Sequence, residues 1–231
     1  MGLFQVPTLE SSNSQPGFDF PRSLTEKYRP TAIADFVGLD GVKKAMANLA
    51  EKPRSCGLLF DGPSGTGKTS MALALAAAIP AELHHIPSQD CTLERLKAVR
   101  SMCQRHAVDI ANNWQSLPFH LVLVDEADKM TEAAYIAFLS YLDGTNSPPN
   151  TIFVFTTNDS SRFEPRFLSR LLSFKFSSYG MKAEAAGLLE RIWGNEAPAE
   201  AEKPNFGRMV MDQQNNVRGA IMALEAKLME V

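Results

Sequence analysis

Three short apolar runs stand out along the chain, and two of them end directly at acidic residues. The runs lie at 58–60, 121–124 and 152–155. A continuous apolar run of this length indicates a strand covered on both faces, as in the parallel sheet of an α/β protein. Further strands are predicted at 82–87 and 173–176. The pattern therefore predicts an α/β core with a central parallel sheet flanked by helices.

Helical segments separate these strands and then continue alone. Helices are predicted at 40–49, before the first strand, and between the strands at 71–79, 93–106 and 132–142. After about residue 178 the pattern contains only helices, at 181–193 and 206–228, joined by a linker that contains Pro and Glu. We therefore expect three parts: a flexible polar N-terminal tail at 1–22, the α/β core at 23–177 and a small all-α domain at 178–231.

Composition limits the classes of protein to which the chain can belong, but it does not indicate a function. The chain has 231 residues, with 23 basic against 26 acidic side chains and a net charge of −3, so any contact with nucleic acid has to come from a local patch. The three cysteines, Cys56, Cys91 and Cys103, lack a C-x-x-C spacing, which supports neither a disulfide framework nor a zinc site. Because no signal peptide or membrane-spanning run is present, we expect a cytoplasmic protein.

A glycine-rich loop follows the first apolar run and precedes an alanine- and leucine-rich helix. Its G-x-x-x-x-G-K-T pattern is typical of a P-loop, in which main-chain N–H groups and the helix N-terminus face phosphate oxygens. Lys68 is then expected to reach the β- and γ-phosphates of ATP, and the Thr69 hydroxyl to bind Mg²⁺. The predicted ATP-binding residues of the loop are Gly62, Pro63, Ser64, Gly65, Thr66, Gly67, Lys68, Thr69 and Ser70.

Two acidic residues end the second apolar run. Asp125 and Glu126 follow it directly, which places them at the edge of an α/β sheet where ligands bind. Paired with a P-loop, Asp125 fits the role of orienting Mg²⁺. Glu126 fits the role of aligning or deprotonating the attacking water.

His84 and His85 are adjacent in the sequence, and histidine is a common metal ligand, so we consider whether they bind a metal ion. Neighbouring residues of a strand point to opposite faces, so both cannot easily reach one ion, and no third ligand is evident from the sequence. We therefore expect these histidines to be packed or solvated rather than metal-bound.

The residues before the P-loop resemble those of a known family. Glu26-Lys27-Tyr28-Arg29-Pro30, followed by Phe36-Val37-Gly38, is similar to the N-terminal box of replication factor C-type clamp loaders, which are AAA+ ATPases. The resemblance extends to clamp-loader subunits of T4-like phages and covers nearly the whole chain. It implies a P-loop AAA+ core with a helical lid. It also implies adenine-side contacts from Tyr28, Arg29, Val37 and Gly38.

The same resemblance implies further site residues. Asn158 corresponds to the sensor 1 residue, and Arg218, in Asn215-Asn216-Val217-Arg218, to the sensor 2 arginine of the lid. Ser169-Arg170 matches the motif whose arginine enters a neighbouring subunit's ATP site, although Leu171 replaces the usual cysteine and Arg166 is a competing arginine finger. The family usually has an Asn near Pro87 that restrains the catalytic glutamate, so here that restraint is absent or provided by Ser88.

The implied function is that of a clamp-loader-like ATPase in DNA replication or repair. Such a protein works as a homo- or hetero-oligomer on DNA with a sliding clamp or another replication protein, and basic residues of the helix at 93–106 would line the DNA chamber. The family's C-terminal collar domain is not found before Val231. The alternative is a nucleotide-dependent switch or scaffold ATPase that acts on a protein partner.

Overall fold

The computed structural model describes residues 22–105, 107–109 and 115–230. The predicted N-terminal tail, apart from Arg22, lies outside the described residues. Within them, seven strands are described, five of which form one sheet. The strands are β1 Cys56–Asp61, β2 Ala81–Pro87, β3 Ala107–Asp109, β4 Gln115–Leu117, β5 Phe119–Asp125, β6 Thr151–Thr157 and β7 Leu172–Lys175.

The five-stranded sheet has the order β2-β5-β6-β1-β7, and all of its neighbouring strands are parallel. The predicted α/β fold class is therefore confirmed. In the register of the sheet, Pro87 pairs with Asp125 and Asp61 pairs with Thr157. The polar ends of the strands consequently meet along one edge, where parallel sheets bind ligands. Strands β3 and β4 form a separate antiparallel pair.

Nine helices are present in the described part of the chain. They are α1 Leu24–Lys27, α2 Asp40–Glu51, α3 Lys68–Ala78, α4 Leu93–Cys103, α5 Glu132–Tyr141, α6 Pro165–Leu168, α7 Lys182–Glu196, α8 Phe206–Asp212 and α9 Val217–Leu228. Short 3₁₀ turns occupy Ile33–Asp35, Ser88–Asp90, Ala127–Lys129 and Ser160–Arg162.

Two apolar clusters cover the two faces of the sheet. Leu58 and Phe60 of β1 face the cluster that includes α2 and α3, whereas Leu59 faces the cluster that includes α4 and α5. Alternate residues of β5 and β6 divide in the same way. Because both faces are covered, the central strands have to be apolar throughout, which explains the continuous runs in the sequence.

The C-terminal helices form a third cluster around Ile192 and Trp193. Leu24 of α1 packs into this cluster, and its N–H donates to the Glu225 carboxylate at 3.0 Å. The first helix of the region assigned to the core thus contacts the helical region, and the domain boundaries remain predictions.

The single helix predicted over 206–228 is wrong, because α8 and α9 are separated by a turn. Gln214 and Asn215 have φ values of 55° and 59°, in the left-handed region that ends a helix. Asn216 then caps α9 by accepting a hydrogen bond from the Gly219 N–H at 3.1 Å.

Candidate active site

The P-loop connects the end of β1 to the start of α3. Gly65 and Gly67 have φ values of 78° and 91°, which glycine adopts without a steric cost. A Cβ at Gly65 would lie 2.2 Å from Asn216 Oδ1, so the loop and the turn before α9 are in close contact. The Asn216 amide also donates to the Ser64 carbonyl at 3.0 Å. This contact joins the helical region to the P-loop.

Lys68 lies at the centre of the site, and its side chain is largely buried. Its ammonium donates to the carbonyls of Gly62 at 2.7 Å and Pro63 at 2.8 Å, and to Asn158 Oδ1 at 3.0 Å. Burial lowers the pKa of Lys68, Asp125 and Asp61 oppose this effect, and the charge of Arg218 adds to it. The structure therefore brings the P-loop lysine together with Asn158, from the end of β6, and within electrostatic range of Asp125 and Arg218.

Asp125 accepts two hydroxyl hydrogen bonds on the same oxygen. Thr69 Oγ1 donates to Asp125 Oδ1 at 2.9 Å, and Thr156 Oγ1 donates to it at 2.5 Å. Adjacent corners of an octahedron with Mg–O bonds of about 2.1 Å are roughly 3 Å apart, so the spacing of the Thr69 and Asp125 oxygens fits a magnesium site. Thr69 and Asp125 are thus the groups placed to hold Mg²⁺, Asp125 through the water shell of the ion, and their binding of the metal stays a prediction.

Thr156 is a site residue that the sequence analysis missed. Besides bonding Asp125, its hydroxyl accepts a hydrogen bond from the Glu126 N–H at 3.0 Å. Thr156 therefore positions both acidic residues from the neighbouring strand. A hydroxyl residue at the end of an otherwise apolar strand was the available signal. Its partners lie 30 and 31 positions earlier in the chain, so they were not apparent without the sheet register.

Glu126 is exposed and has a φ of 51°, in the left-handed region. For a non-glycine residue this conformation is strained, and such strain is concentrated at functional sites. Among the described residues, its carboxylate accepts a hydrogen bond from Lys129 Nζ at 2.5 Å. Asp125 Oδ2 lies 3.9 Å from His85 Nε2, on the exposed side of β2.

A cavity of about 1160 Å³ lies between the P-loop, the N-terminal segment and the helical region. Of the four predicted adenine-side residues, Tyr28, Arg29 and Val37 line it, together with Arg218 and the loop residues Gly65, Thr66, Gly67 and Ser70. Gly38 lines a smaller adjoining cavity, and its N–H donates to Glu184 of α7 at 2.5 Å. The cavity therefore brings predicted adenine-side residues next to the P-loop, although Lys68 and Thr69 are not among the residues that line it.

The two competing arginine fingers lie elsewhere. Arg170 precedes β7, and its carbonyl lies 3.4 Å from the position of a Cβ at Gly57, near the start of β1. The P-loop begins after Asp61, at the opposite edge of the sheet and roughly 13 Å away along the strand. Arg166 forms an ion pair with Glu164 at 2.6 Å, whereas the Arg170 guanidinium donates to the Arg166 carbonyl.

Comparison with protein-family models gives a class consistent with this fold and site. The model of the ATPase family associated with various cellular activities (AAA) matches residues 58–179, which is more than half of the chain. The chain therefore belongs to the AAA ATPases.

Among curated proteins, the chain is similar to replication factor C subunits. Replication factor C subunit 3 of Blastobotrys adeninivorans is 34% identical over 155 residues, which cover 66% of this chain and 45% of that protein. The replication factor C small subunit of Methanosphaera stadtmanae is 28% identical over 210 residues, which cover 87% of this chain and 61% of that protein. The chain thus spans about half to three fifths of the length of these relatives.

Solved structures show the same fold. RuvB of Thermotoga maritima, a Holliday junction branch migration motor, superposes with a TM-score of 0.65 at 18% identity, over 86% of this chain and 64% of that one. A point variant of the same RuvB superposes with a TM-score of 0.67, also at 18% identity, over 86% of this chain and 64% of that one. In the described part of this chain, no helix combines the length and apolar character needed to cross a membrane.

Proposed function

We propose that this chain is an ATP-hydrolysing, clamp-loader-like subunit that acts in DNA replication or repair as part of an oligomer. The observation that carries the proposal is the hydrogen-bonded set of Lys68 with Asn158 and of Thr69 with Asp125. This set joins the P-loop to the ends of two neighbouring strands. A protein that only bound nucleotide would not need the water-positioning groups of those strands.

In this proposal the P-loop N–H groups and Lys68 bind the phosphates of ATP. The three oxygens that now accept hydrogen bonds from Lys68 show that its ammonium is held by polar groups of the loop and of β6. Arg218 lines the cavity beside the P-loop and supplies a second positive charge from α9, within electrostatic range of Lys68. Tyr28, Arg29, Val37 and Gly38 remain the proposed adenine-side contacts.

Hydrolysis requires a metal and a positioned water. Thr69 and Asp125 would hold Mg²⁺, which when bound neutralises charge on the β- and γ-phosphates. Glu126 orients or deprotonates the attacking water, and Asn158 donates a hydrogen bond to the γ-phosphate or to that water. The ordered position of Asp125, with two hydroxyl donors on one oxygen, supports this division of roles.

Arg170 is proposed to act on a neighbouring subunit. Its position near the start of β1, roughly 13 Å along the strand from the start of the P-loop, supports action in trans. Arg170 is preferred to Arg166 because Ser169-Arg170 matches the clamp-loader motif, whereas the exposed ion pair of Arg166 with Glu164 is too weak to decide between them. An isolated subunit should therefore hydrolyse ATP slowly.

Contacts with DNA are proposed for exposed basic residues of α4 and of the turn that follows it. Arg95 and Lys97 of α4 and Arg105, beyond the end of the helix, are exposed, whereas the Arg100 guanidinium lies 4.9 Å from the centre of the Tyr141 ring. Arg100 is thus partly held by packing, and the three exposed side chains are better placed for phosphate contacts. DNA and a sliding clamp or another replication protein are the partners that the resemblance to clamp loaders implies, and the match to replication factor C subunits supports that resemblance.

The proposal is tested by ATP turnover with purified variants. Lys68→Ala should abolish ATP binding, and Glu126→Gln should bind ATP but lower turnover by about 10²- to 10⁴-fold. Primed DNA with a sliding clamp should stimulate the unmodified protein. Stimulation by a protein partner alone would instead favour a nucleotide-dependent switch or scaffold, and tight ATP binding by Lys68→Ala would overturn the assignment of the pocket.

A further inference from the structure

Two buried histidines contact one another on the face of the sheet that α4 covers. His84 Nε2 of β2 lies 3.1 Å from His120 Nδ1 of β5, and the two rings are stacked with centroids 5.3 Å apart. Cys103, the last residue of α4, completes the group. One ligand atom from each of these three residues lies within 4.8 Å of the others, and the residues are 8%, 2% and 1% exposed.

The register of the sheet explains why these residues meet. Glu82 pairs with His120, and His84 pairs with Val122, so alternate side chains of both strands point to the same face. Val122 and Cys103 belong to the same apolar cluster, which places the thiol on that face. His85, in contrast, is exposed on the opposite side. The prediction that the side chains of His84 and His85 point to opposite faces of the strand is confirmed. The side chains that lie near His84 come from β5 and α4, which the sequence did not reveal.

The hydrogen bonds determine which nitrogen of His120 carries the proton. His120 Nε2 lies 3.0 Å from the Arg105 carbonyl, which can only accept, so Nε2 carries the hydrogen and Nδ1 presents its lone pair to His84. A backbone carbonyl on the distal nitrogen is the arrangement that orients metal-binding histidines. It leaves Nδ1 of His120 available as a donor atom at the centre of the group.

A carboxylate borders the same two nitrogens. Glu82 Oε1 lies 3.9 Å from His84 Nε2, and Glu82 Oε2 lies 3.6 Å from His120 Nδ1. The Glu82 side chain is 22% exposed, so it lies at the solvent side of the group. Two nitrogens and one sulfur therefore lie within 4.8 Å of one another, and the Glu82 carboxylate borders the two nitrogens from the solvent side.

We propose that Glu82, His84, Cys103 and His120 form a binding site for a divalent transition metal ion of the zinc class. Nitrogen, thiolate and carboxylate donors suit Zn²⁺ or Co²⁺ rather than Mg²⁺. With metal–nitrogen bonds of about 2.05 Å, tetrahedral geometry separates two nitrogens by roughly 3.3 Å, close to the 3.1 Å found here. The ion would connect the edge strand β2 and its neighbour β5 to the end of α4.

Binding changes the protonation of two groups. The His84 proton has to leave Nε2, which is the nitrogen that faces His120, and move to Nδ1. The Cys103 thiol has to release its proton to solvent; burial raises the pKa of this thiol to about 12, so the metal-free group is a thiol at neutral pH. The bound ion thus takes the place of the hydrogen bond between the two histidines and of the proton on the sulfur.

The test is titration of the full-length, metal-free protein with Zn²⁺ and, separately, with Co²⁺, in the absence of nucleotide. We expect one tightly bound ion per chain. Co²⁺ should give the absorption bands of a tetrahedral site and a thiolate-to-cobalt charge-transfer band. Zn²⁺ should raise the melting temperature.

Variants identify the ligands. Cys103→Ser should remove the charge-transfer band and weaken Zn²⁺ binding at least tenfold, whereas the matched controls Cys91→Ser, at another buried thiol, and His85→Gln should retain both. If Cys103→Ser does not fold, Glu82→Gln, which changes the most exposed ligand, should weaken Zn²⁺ binding while the band persists. An unchanged band in Cys103→Ser, equal losses in Cys91→Ser, or no stoichiometric binding by the unmodified protein would overturn the site.

These measurements do not depend on ATP turnover. The metal site and the proposed ATPase function can therefore fail independently of one another.

Discussion

Lys129 Nζ lies 2.5 Å from Glu126 Oε2, so the glutamate proposed to position the attacking water forms an ion pair three residues along its own chain. The resemblance to clamp loaders implies that in that family an Asn restrains the catalytic glutamate. This chain has Pro87, followed by Ser88, near the position of that Asn. The structure assigns the contact with the carboxylate to Lys129. A glutamate held in this way is not free to orient water.

Lys129→Ala should therefore raise the basal rate of ATP hydrolysis. Both side chains are about half exposed, and exposed ion pairs are weak, so we expect an increase in kcat of about two- to fivefold with little change in KM. Lys129→Arg, which retains the charge, is the control. A lower kcat in Lys129→Ala would show that the lysine supports catalysis instead.

Thr156→Val should impair both acidic residues of the site. The substitution removes a hydroxyl that donates to Asp125 and leaves the Glu126 N–H without its acceptor. A buried group left unpaired costs about 1–3 kcal/mol, so kcat should fall between roughly fivefold and a hundredfold, and more Mg²⁺ should be needed for half-maximal activity. Thr157→Val is the control, because Thr157 bonds Asp128 instead. Equal effects of the two substitutions would contradict the proposed role.

Arg170→Ala should leave ATP binding intact and slow hydrolysis in the assembled oligomer. Arginine fingers contribute about 10³ to 10⁵ in rate. Arg166→Ala should have a much smaller effect, because Arg166 lies outside the Ser169-Arg170 motif. The decisive measurement mixes Arg170→Ala subunits with Glu126→Gln subunits. Activity should partly recover, since one subunit supplies an intact arginine and the other an intact glutamate. Absence of recovery at every ratio would contradict action across an interface.

Gly65→Ala should weaken ATP binding through the helical region. An added Cβ would lie 2.2 Å from Asn216 Oδ1, which forces the turn before α9 and the P-loop apart. Asn216→Ala should restore part of the affinity in the double variant, measured by calorimetric titration with ATP. Recovery should be incomplete, because alanine at a φ of 78° remains strained. If Gly65→Ala and the double variant lose the same ATP affinity, backbone strain at residue 65 accounts for the whole loss and the contact with Asn216 does not contribute.

Local pattern predicted much of the nucleotide site. The P-loop is one contiguous stretch, and its strand, glycines, lysine and helix are neighbours in the chain, so their chemistry is visible without a fold. The acidic residues at the end of β5 were likewise apparent, because a polar group after a buried strand has to lie at the edge of the sheet.

Other features depended on contacts between distant parts of the chain. Thr156 could not be assigned to Asp125 without the pairing of β5 with β6, and the turn at Gln214 and Asn215 was hidden in a continuous helical pattern. Whether Arg170 acts on its own ATP site depends on which edge of the sheet it occupies, and sequence spacing does not contain that information.

By itself, the sequence determined the class of the core, the position of the five strands of its main sheet along the chain and the phosphate-binding loop, because hydrophobic periodicity and loop chemistry act over a few residues. Only the tertiary structure decided which side chains share one point in space. His84, Cys103 and His120 are separated by nearly twenty residues at each step, yet the parallel register and the covering helix place them in contact. Contacts between residues so far apart in the chain depend on how the whole domain packs, and a local sequence pattern does not contain that information.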